Sequence, residues 1–278
     1  MKRFLLCTDL DRTLIPNGPQ PESPTAHKRF QDLVSLNEVT LAYVTGRHRA
    51  LIEQAIAEFG LPQPDFAIAD VGSTIYQIDS TGGWRQWDAW DEQIAPDWRG
   101  LTHDELHKFL SDFSALRLQE KEKQNRHKLS FYVALGMDTK QLLSEMEVQL
   151  GQAGIKANLI WSIDELAGIG LLDILPASAN KLHAIHFLMQ QRGFGREDTV
   201  FAGDSGNDLD VLLSDIPAVL VANADAEVRN QAAKAHKDAF YVARGNYLGM
   251  NGNYSAGILE GVAHYQPEVD AWLREQDQ

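Results

Sequence analysis

The chain has 278 residues, 44% hydrophobic and 23% charged, the balance of a folded globular protein of one or two domains. Its formal net charge of −14 argues against nucleic acid or an anionic membrane surface as partner, while still admitting an anionic small molecule in a pocket with local cations. The lone cysteine, Cys7, excludes an internal disulfide, no signal peptide is visible, and no run reaches the roughly 18 apolar residues of a membrane span, so a cytoplasmic protein is expected.

In chain order, Phe4-Leu5-Leu6-Cys7-Thr8 is a short apolar run that reads as a buried parallel strand, with Cys7 a small core residue. It runs into Asp9-Leu10-Asp11-Arg12-Thr13. Four prolines between Pro16 and Pro24 mark a loop, and Ser23 or Thr25 can cap the helix that follows to about Leu36. Val39–Val44 is a second strand ending in Thr45-Gly46-Arg47. A helix from about His48 to Phe59 closes at Gly60. Phe66–Ala69 is a third strand, followed by Val71-Gly72-Ser73 and a hairpin-like segment. Strand, helix, strand, helix, strand is the sequence form of a parallel α/β sheet.

The pattern changes over 81–172. This stretch carries tryptophans at 84, 87, 90, 98 and 161, read as core or interface fillers before sugar platforms. Helices are expected near 102–112 and 138–152, and strands near 116–119, 128–133 and 156–161. That is a second, mixed α/β domain inserted into a first one made of 1–80 and 173–278. The parallel pattern resumes after Leu171–Leu175. A helix runs from Lys181 to Arg192, then comes a strand Thr199–Ala202 ending in Gly203-Asp204-Ser205-Gly206-Asn207-Asp208. Two further units and a last helix at about 255–264 follow.

Three strands thus end in polar clusters, Asp9/Asp11, Thr45-Gly46-Arg47 and Asp204/Asp208, and in a parallel sheet those tips share one edge. Two carboxylates in one cleft stay ionised only with a cation between them, or one takes a proton. Metal binding with acid–base chemistry follows, and phosphoryl transfer fits it. An anionic phosphate needs a cation and donors, and Mg²⁺ takes a few carboxylate oxygens together with waters and phosphate. Asp9 and Asp204 can supply the oxygens, and Asp208 can hold a bound water or orient a ligand. Taken singly, Lys181 reads as a solvated helix-start lysine and Thr45 as a cap. Arg47 serves phosphate or, preferentially, pairs with an acid. His127 and Lys128 alternate in one strand, so only one can face a substrate; Lys128 is the choice and His127 is structural. Asp173 is either a hydroxyl acceptor or a paired junction carboxylate.

Asp9-Leu-Asp11-Arg-Thr13, Thr45-Gly46-Arg47, Lys181 at a helix start and Gly203-Asp204-Ser-Gly-Asn207-Asp208 resemble, in order, the four motifs of the haloacid dehalogenase (HAD) superfamily of phosphatases. The insertion resembles that superfamily's α/β cap on a Rossmann-like core. Arg126-His127-Lys128-Leu-Ser130-Phe131-Tyr132, Leu172-Asp173-Ile-Leu-Pro176 and Ala256–His264 resemble the sucrose-phosphate phosphatase family. The resemblance implies that Asp9 is the nucleophile and that Asp11 exchanges a proton with the leaving sugar and then with water. It also implies Mg²⁺ on Asp9, Asp204, Asp208 and the Asp11 backbone carbonyl. Thr45, Gly46, Arg47, Lys181, Asn207 and the Leu10 backbone would hold phosphate, and Lys128 and Asp173 would face the sugar.

The resemblance further implies a monomer, possible association with a sugar-phosphate synthase, and a cap hinged near 80–82 and 172–176 that closes over substrate. Sucrose 6-phosphate is the first choice of substrate and mannosylfructose phosphate a second. A phosphomutase or phosphotransferase and a non-catalytic sugar-phosphate binder are the alternatives, the last weakened by the intact Asp9/Asp11 pair. The sequence departs from the family at Thr74, where plant and cyanobacterial members carry Glu, over a longer 161–170 link, and at Arg12, where many superfamily members carry Gly. The Arg12 side chain is expected to project toward the cap.

Overall fold

The computed structural model describes residues 1–164, 167–234 and 240–277. The chain begins β1 (Phe4–Thr8), α1 (Ala26–Val34), β2 (Val39–Val44), α2 (Arg49–Phe59), β3 (Phe66–Ala69), β4 (Thr74–Ile78), β5 (Trp84–Gln86) and α3 (Asp88–Ile94). It continues α4 (His103–Phe109), β6 (Arg117–Leu118), β7 (Leu129–Val133), α5 (Thr139–Gln152), β8 (Ala157–Asp164) and β9 (Ile169–Pro176). The last part holds α6 (Lys181–Arg192), β10 (Thr199–Gly203), α7 (Leu209–Leu212), β11 (Ala218–Leu220), α8 (Ala226–Lys234), β12 (Phe240–Val242), α9 (Ser255–Tyr265) and α10 (Pro267–Glu275).

The larger sheet has eight strands in the order β12-β11-β10-β1-β2-β3-β4-β5. The six from β12 to β3 are parallel, and β4 and β5 extend them antiparallel. From β1 the chain winds one way through β2 and β3 and the other way through β10 to β12. The tip of β1 is therefore a switch point, where an open α/β sheet leaves a crevice. Every residue of β1 is buried. Phe4 and Leu6 face the layer of α1, α9 and α10, whereas Leu5 and Cys7 face α3, α6 and α7. An unbroken apolar run is what a strand covered on both faces requires.

The smaller sheet is antiparallel, in the order β6-β7-β9-β8. Leu129, Phe131, Val133, Leu172 and Ile174 pack with Leu106, Leu142 and Met146 of α4 and α5 to form a separate core. This is a Rossmann-like core carrying a smaller α/β domain, the fold class the sequence suggests.

The chain passes between the sheets later than the expected borders of 81 and 172. Trp84–Gln86 pairs with β4 in the larger sheet, and Trp90 and Ile94 pack with Leu5 and Ile185. β9 lies wholly in the smaller sheet, up to Pro176. Leu171–Leu175 resembles a resumed core strand because four of its five residues are apolar: Leu172 and Ile174 bury under the cap helices, Leu175 joins the larger core, and Asp173 on that second face pairs with Lys128. β8 is also longer than the expected strand. At α1, Thr25 stands at the N-cap without a side-chain bond, and the Ser23 hydroxyl instead accepts from the Asn251 N–H, so neither caps the helix. The tryptophans are fillers where the structure places them: Trp90 and Trp98 are fully buried, and Trp87 stacks on Phe66.

α9 runs close against β11. A Cβ on Gly261 would lie 2.2 Å from Val219 Cγ2, inside any real contact. Gly261→Ala is therefore expected to lower stability by about 1–3 kcal/mol through overpacking, read as a lower urea midpoint with an unchanged slope.

Candidate active site

Asp9 follows β1 directly, and its N–H donates to the Ala202 carbonyl at 2.9 Å, which ties it to β10. The adjoining tips carry Asp204 and Asp208 on one side and Thr45 on the other. Asp9, Asp204 and Asp208 are all buried, and their carboxylate oxygens lie within 4.8 Å of one another. Lys181 opens α6, where Asn180 caps the helix by accepting from the His183 N–H at 2.8 Å. Its Nζ lies 2.7 Å from Asp208 Oδ1, 3.2 Å from Asp9 Oδ1 and 3.3 Å from Asn207 Oδ1. At 3% exposure Lys181 is no solvated surface lysine.

The electrostatics follow from this crowding. Burial pushes the Asp9 carboxyl up to about 8, with Lys181 opposing and Asp208 and Asp204 adding. Burial and Asp208 take Asp204 to about 6. Burial works against the Lys181 charge, but Asp208 and Asp9 outweigh it and hold the ammonium above its ordinary value. Asp208 is the least free of the three acids. Its Oδ1 accepts from Lys181 and its Oδ2 from the Asp204 and Ser205 N–H groups at 3.1 and 3.3 Å. Asp204 Oδ1 accepts from the Thr13 hydroxyl, while its buried Oδ2 has no hydrogen-bond donor. An orphaned buried carboxylate oxygen in an all-oxygen donor set fits a hard divalent cation.

Asp11 is held apart from this cluster. Arg47 Nη2 and Nε grip its two oxygens at 2.6 and 2.8 Å, and Asn17 donates to Oδ1 at 2.7 Å. Burial works against that carboxylate, but Arg47 and Asn17 outweigh it and hold Asp11 below the ordinary range. Arg47 thus pairs with an acid, the preferred of its two expected roles, and the acid is Asp11 itself. Thr45 is buried, Gly46 exposed, and Leu10 fully buried in the larger core, its carbonyl accepting from the Leu14 and Ile15 amides at 3.0 and 2.8 Å. His127 and Lys128 do not alternate in one strand: both precede β7, in a turn closed by the Asn125–Lys128 bridge, and they take different partners, Lys128 Nζ lying near Asp70 and Asp173 and His127 near Asp91 of α3. Asp173 Oδ1 also accepts from Ser130 Oγ at 2.5 Å.

One expectation fails. The Arg12 side chain does not reach for the cap; it donates to Asp225 at 2.8 Å and lies 3.5 Å from Asp204. Its φ of 59° explains why glycine suits this position. Sequence reasoning gave Asn17 and Asp70 no role. Asn17 lies in a proline loop that gives no periodic signal. Within the unusual 161–170 link, Glu165 and Leu166 lie outside the described residues.

The model of the sucrose-6F-phosphate phosphohydrolase family matches residues 2–266. The chain belongs to that family. A protein of Nitrosococcus oceani, named among HAD-like hydrolases, is 53% identical over 98% of this chain and 74% of its own length. Sucrose-phosphatase 1 of Nicotiana tabacum is 29% identical over 95% of this chain, which spans 59% of the tobacco protein. The crystal structure of the Synechocystis sucrose-phosphatase with sucrose and phosphate superimposes with a TM-score of 0.71 at 26% identity, covering 95% of this chain and 98% of that one. Fold, family and the tri-aspartate cluster together make this a HAD-type phosphatase. No helix among the described residues is long and apolar enough to cross a membrane.

Asp9 and Asp204 titrate above their unfolded values, so the metal-free native state binds more protons than the unfolded chain between about pH 4 and pH 8, and its stability falls as pH rises there. A divalent cation must displace those protons. Mg²⁺ is therefore expected to raise Tm more at about pH 8 than at about pH 5.5. A Tm gain independent of pH would contradict a metal seated on these carboxylates.

Proposed function

We propose that the chain is a Mg²⁺-dependent phosphatase that hydrolyses a disaccharide phosphate, sucrose 6-phosphate first, through an aspartyl-phosphate. The observation that carries this reading is Asp9 at the switch point, 3.2 Å from the Lys181 ammonium and beside Asp204. The Asp9 carboxylate would attack phosphorus as the bond to the sugar oxygen breaks, with Asp11 delivering a proton to that oxygen. Asp11 would then take a proton from the water that attacks the aspartyl-phosphate, which frees phosphate and restores Asp9. The Arg47 grip favours ionised Asp11 and so suits this second half; the first half needs Asp11 protonated, and so needs that grip loosened. Thr45, Gly46, Asn207 and the Leu10 backbone would hold phosphate oxygens, and Lys181 keeps Asp9 aimed. Mg²⁺ held by Asp9 and Asp204, with Asp208 and the Asp11 carbonyl beside them, would neutralise charge that otherwise repels attack.

The substrate part of the reading rests on relatives. The tobacco and Synechocystis proteins are sucrose-phosphatases, and a mannosylfructose-phosphate phosphatase of Agrobacterium fabrum is 28% identical over 94% of this chain and 96% of its own length. Lys128 and Asp173 would face the sugar from the cap. A cytoplasmic monomer able to meet a sugar-phosphate synthase belongs to the same proposal, and size-exclusion chromatography with and without such a synthase checks it.

Purified protein with Mg²⁺ is expected to release phosphate from sucrose 6-phosphate faster than from hexose phosphates, and the mannosylfructose ester is the comparison that decides between disaccharides. Asp9→Asn should lower kcat by about a thousandfold or more, and Asp11→Asn by roughly 10²–10⁴-fold. Ordinary turnover by Asp9→Asn would sink the mechanism; a requirement for a sugar bisphosphate would point to a mutase.

A further inference from the structure

The loop after β3 carries three successive residues in left-handed backbone: Asp70, Val71 and Gly72, with φ of 52°, 59° and 96°. A β-branched valine there is a genuine outlier, kept only where its surroundings over-determine it. Those surroundings are the phosphate side of the site. The Asp70 N–H donates to the Arg47 carbonyl at 3.0 Å and the Val71 N–H to the Thr45 carbonyl at 3.1 Å. Gly72 lies against the start of α6; a Cβ there would stand 2.4 Å from the Asn180 carbonyl carbon and 2.8 Å from the Lys181 nitrogen. The Trp90 indole N–H donates to the Gly72 carbonyl at 3.1 Å.

The other side of the same loop meets the cap. Asp70 is buried, and its Oδ1 lies 3.6 Å from Lys128 Nζ. Asn125 Nδ2 donates to Ser73 Oγ at 3.1 Å. Lys128 in turn lies 3.5 Å from Asp173 in β9. A buried ion pair adds little net stability against its desolvation cost; what it can fix is the register of the elements it joins.

We propose that Asp70 is a positioning residue: through its ion pair with Lys128 it sets where the cap stands over the loop that packs on Thr45 and Lys181, beside the Asn125–Ser73 bond. The sugar-facing side of the cap and the phosphate site then keep one spacing. Asp70 itself touches no reacting atom. This rests on the phosphatase reading for its kinetic test, but not for its physical one.

Asp70→Asn is the variant to make, because asparagine tolerates left-handed backbone and removes only the charge. Kinetics would compare sucrose 6-phosphate with p-nitrophenyl phosphate, which has no sugar for the cap to hold. The variant is expected to lose about tenfold in kcat/KM on the disaccharide ester, mostly in KM, and to stay within about twofold on the aryl ester. Without substrate, amide exchange should quicken both at 70–73 and at 125–130. Equal losses on both esters, or no loss on either, would overturn the proposal, as would a disaccharide-only loss with unchanged exchange, which would make Asp70 a direct sugar contact. If the unmodified protein hydrolyses the aryl ester but no disaccharide phosphate, the substrate reading fails, and the exchange measurement still decides the role of Asp70.

Discussion

The Lys181 ammonium, buried between Asp9 and Asp208, is the interaction on which the site depends. It ties α6 to the tip of β1, 172 residues away in sequence, and to the tip of β10, 27 residues away. It also explains why three acids can share a buried space. Without a cation among them, burial would leave most of them neutral. With Lys181 fixed by the Asn180 cap and by Gly72 behind its backbone, one positive charge is built into the fold before any ion or phosphate arrives. Asp208, gripped by Lys181 and two backbone amides, acts as the clasp of that arrangement, which leaves Asp9 and Asp204 as the oxygens with room to change partners.

The two carboxylates of the opening motif are separated by what holds them. Asp9 is buried against a lysine and two acids; Asp11, two residues on, is gripped by Arg47 and Asn17 and lies outside the tri-aspartate cluster. Opposite environments push their proton affinities apart, upward for Asp9 and downward for Asp11. A cation on Asp9 is what would return it to a carboxylate for attack, since the metal-free split favours a protonated Asp9 and an ionised Asp11. The left-handed Arg12 between them makes the split possible, because the chain must turn sharply for Asp9 and Asp11 to face different partners.

Much of this was legible in the sequence. The buried strand Phe4–Thr8, the strand tips and the cap could be read because apolar runs, turn residues and ordered motifs are local patterns. The partners of Arg47 and Arg12 could not: Asp11 lies 36 positions before Arg47, and Asp225 lies 213 after Arg12. The sheet that Leu171–Leu175 joins was hidden for a related reason. Four of its five residues are apolar, as they would be in either sheet, and periodicity does not distinguish a core strand from one at the junction of two cores. Asp70 was invisible because its importance lies in backbone geometry, which residue identity reveals at glycine and hides at aspartate and valine.

The charge balance explains how so acidic a chain can receive a phosphate ester. Around the switch point, Asp9, Asp11, Asp204, Asp208 and Asp225 face Lys181, Arg47 and Arg12, which leaves two formal negative charges. Each of these cations is already engaged by an acid, so none is simply waiting for phosphate. A dianion entering such a space would meet net repulsion. A divalent cation on Asp9 and Asp204 would cancel that local charge, and would also release Lys181 from part of its duty toward Asp9. Metal and phosphate should therefore bind with positive coupling: the cation lowers the electrostatic cost of admitting phosphate to a protein whose overall charge is −14, and bound phosphate in turn holds the cation more tightly.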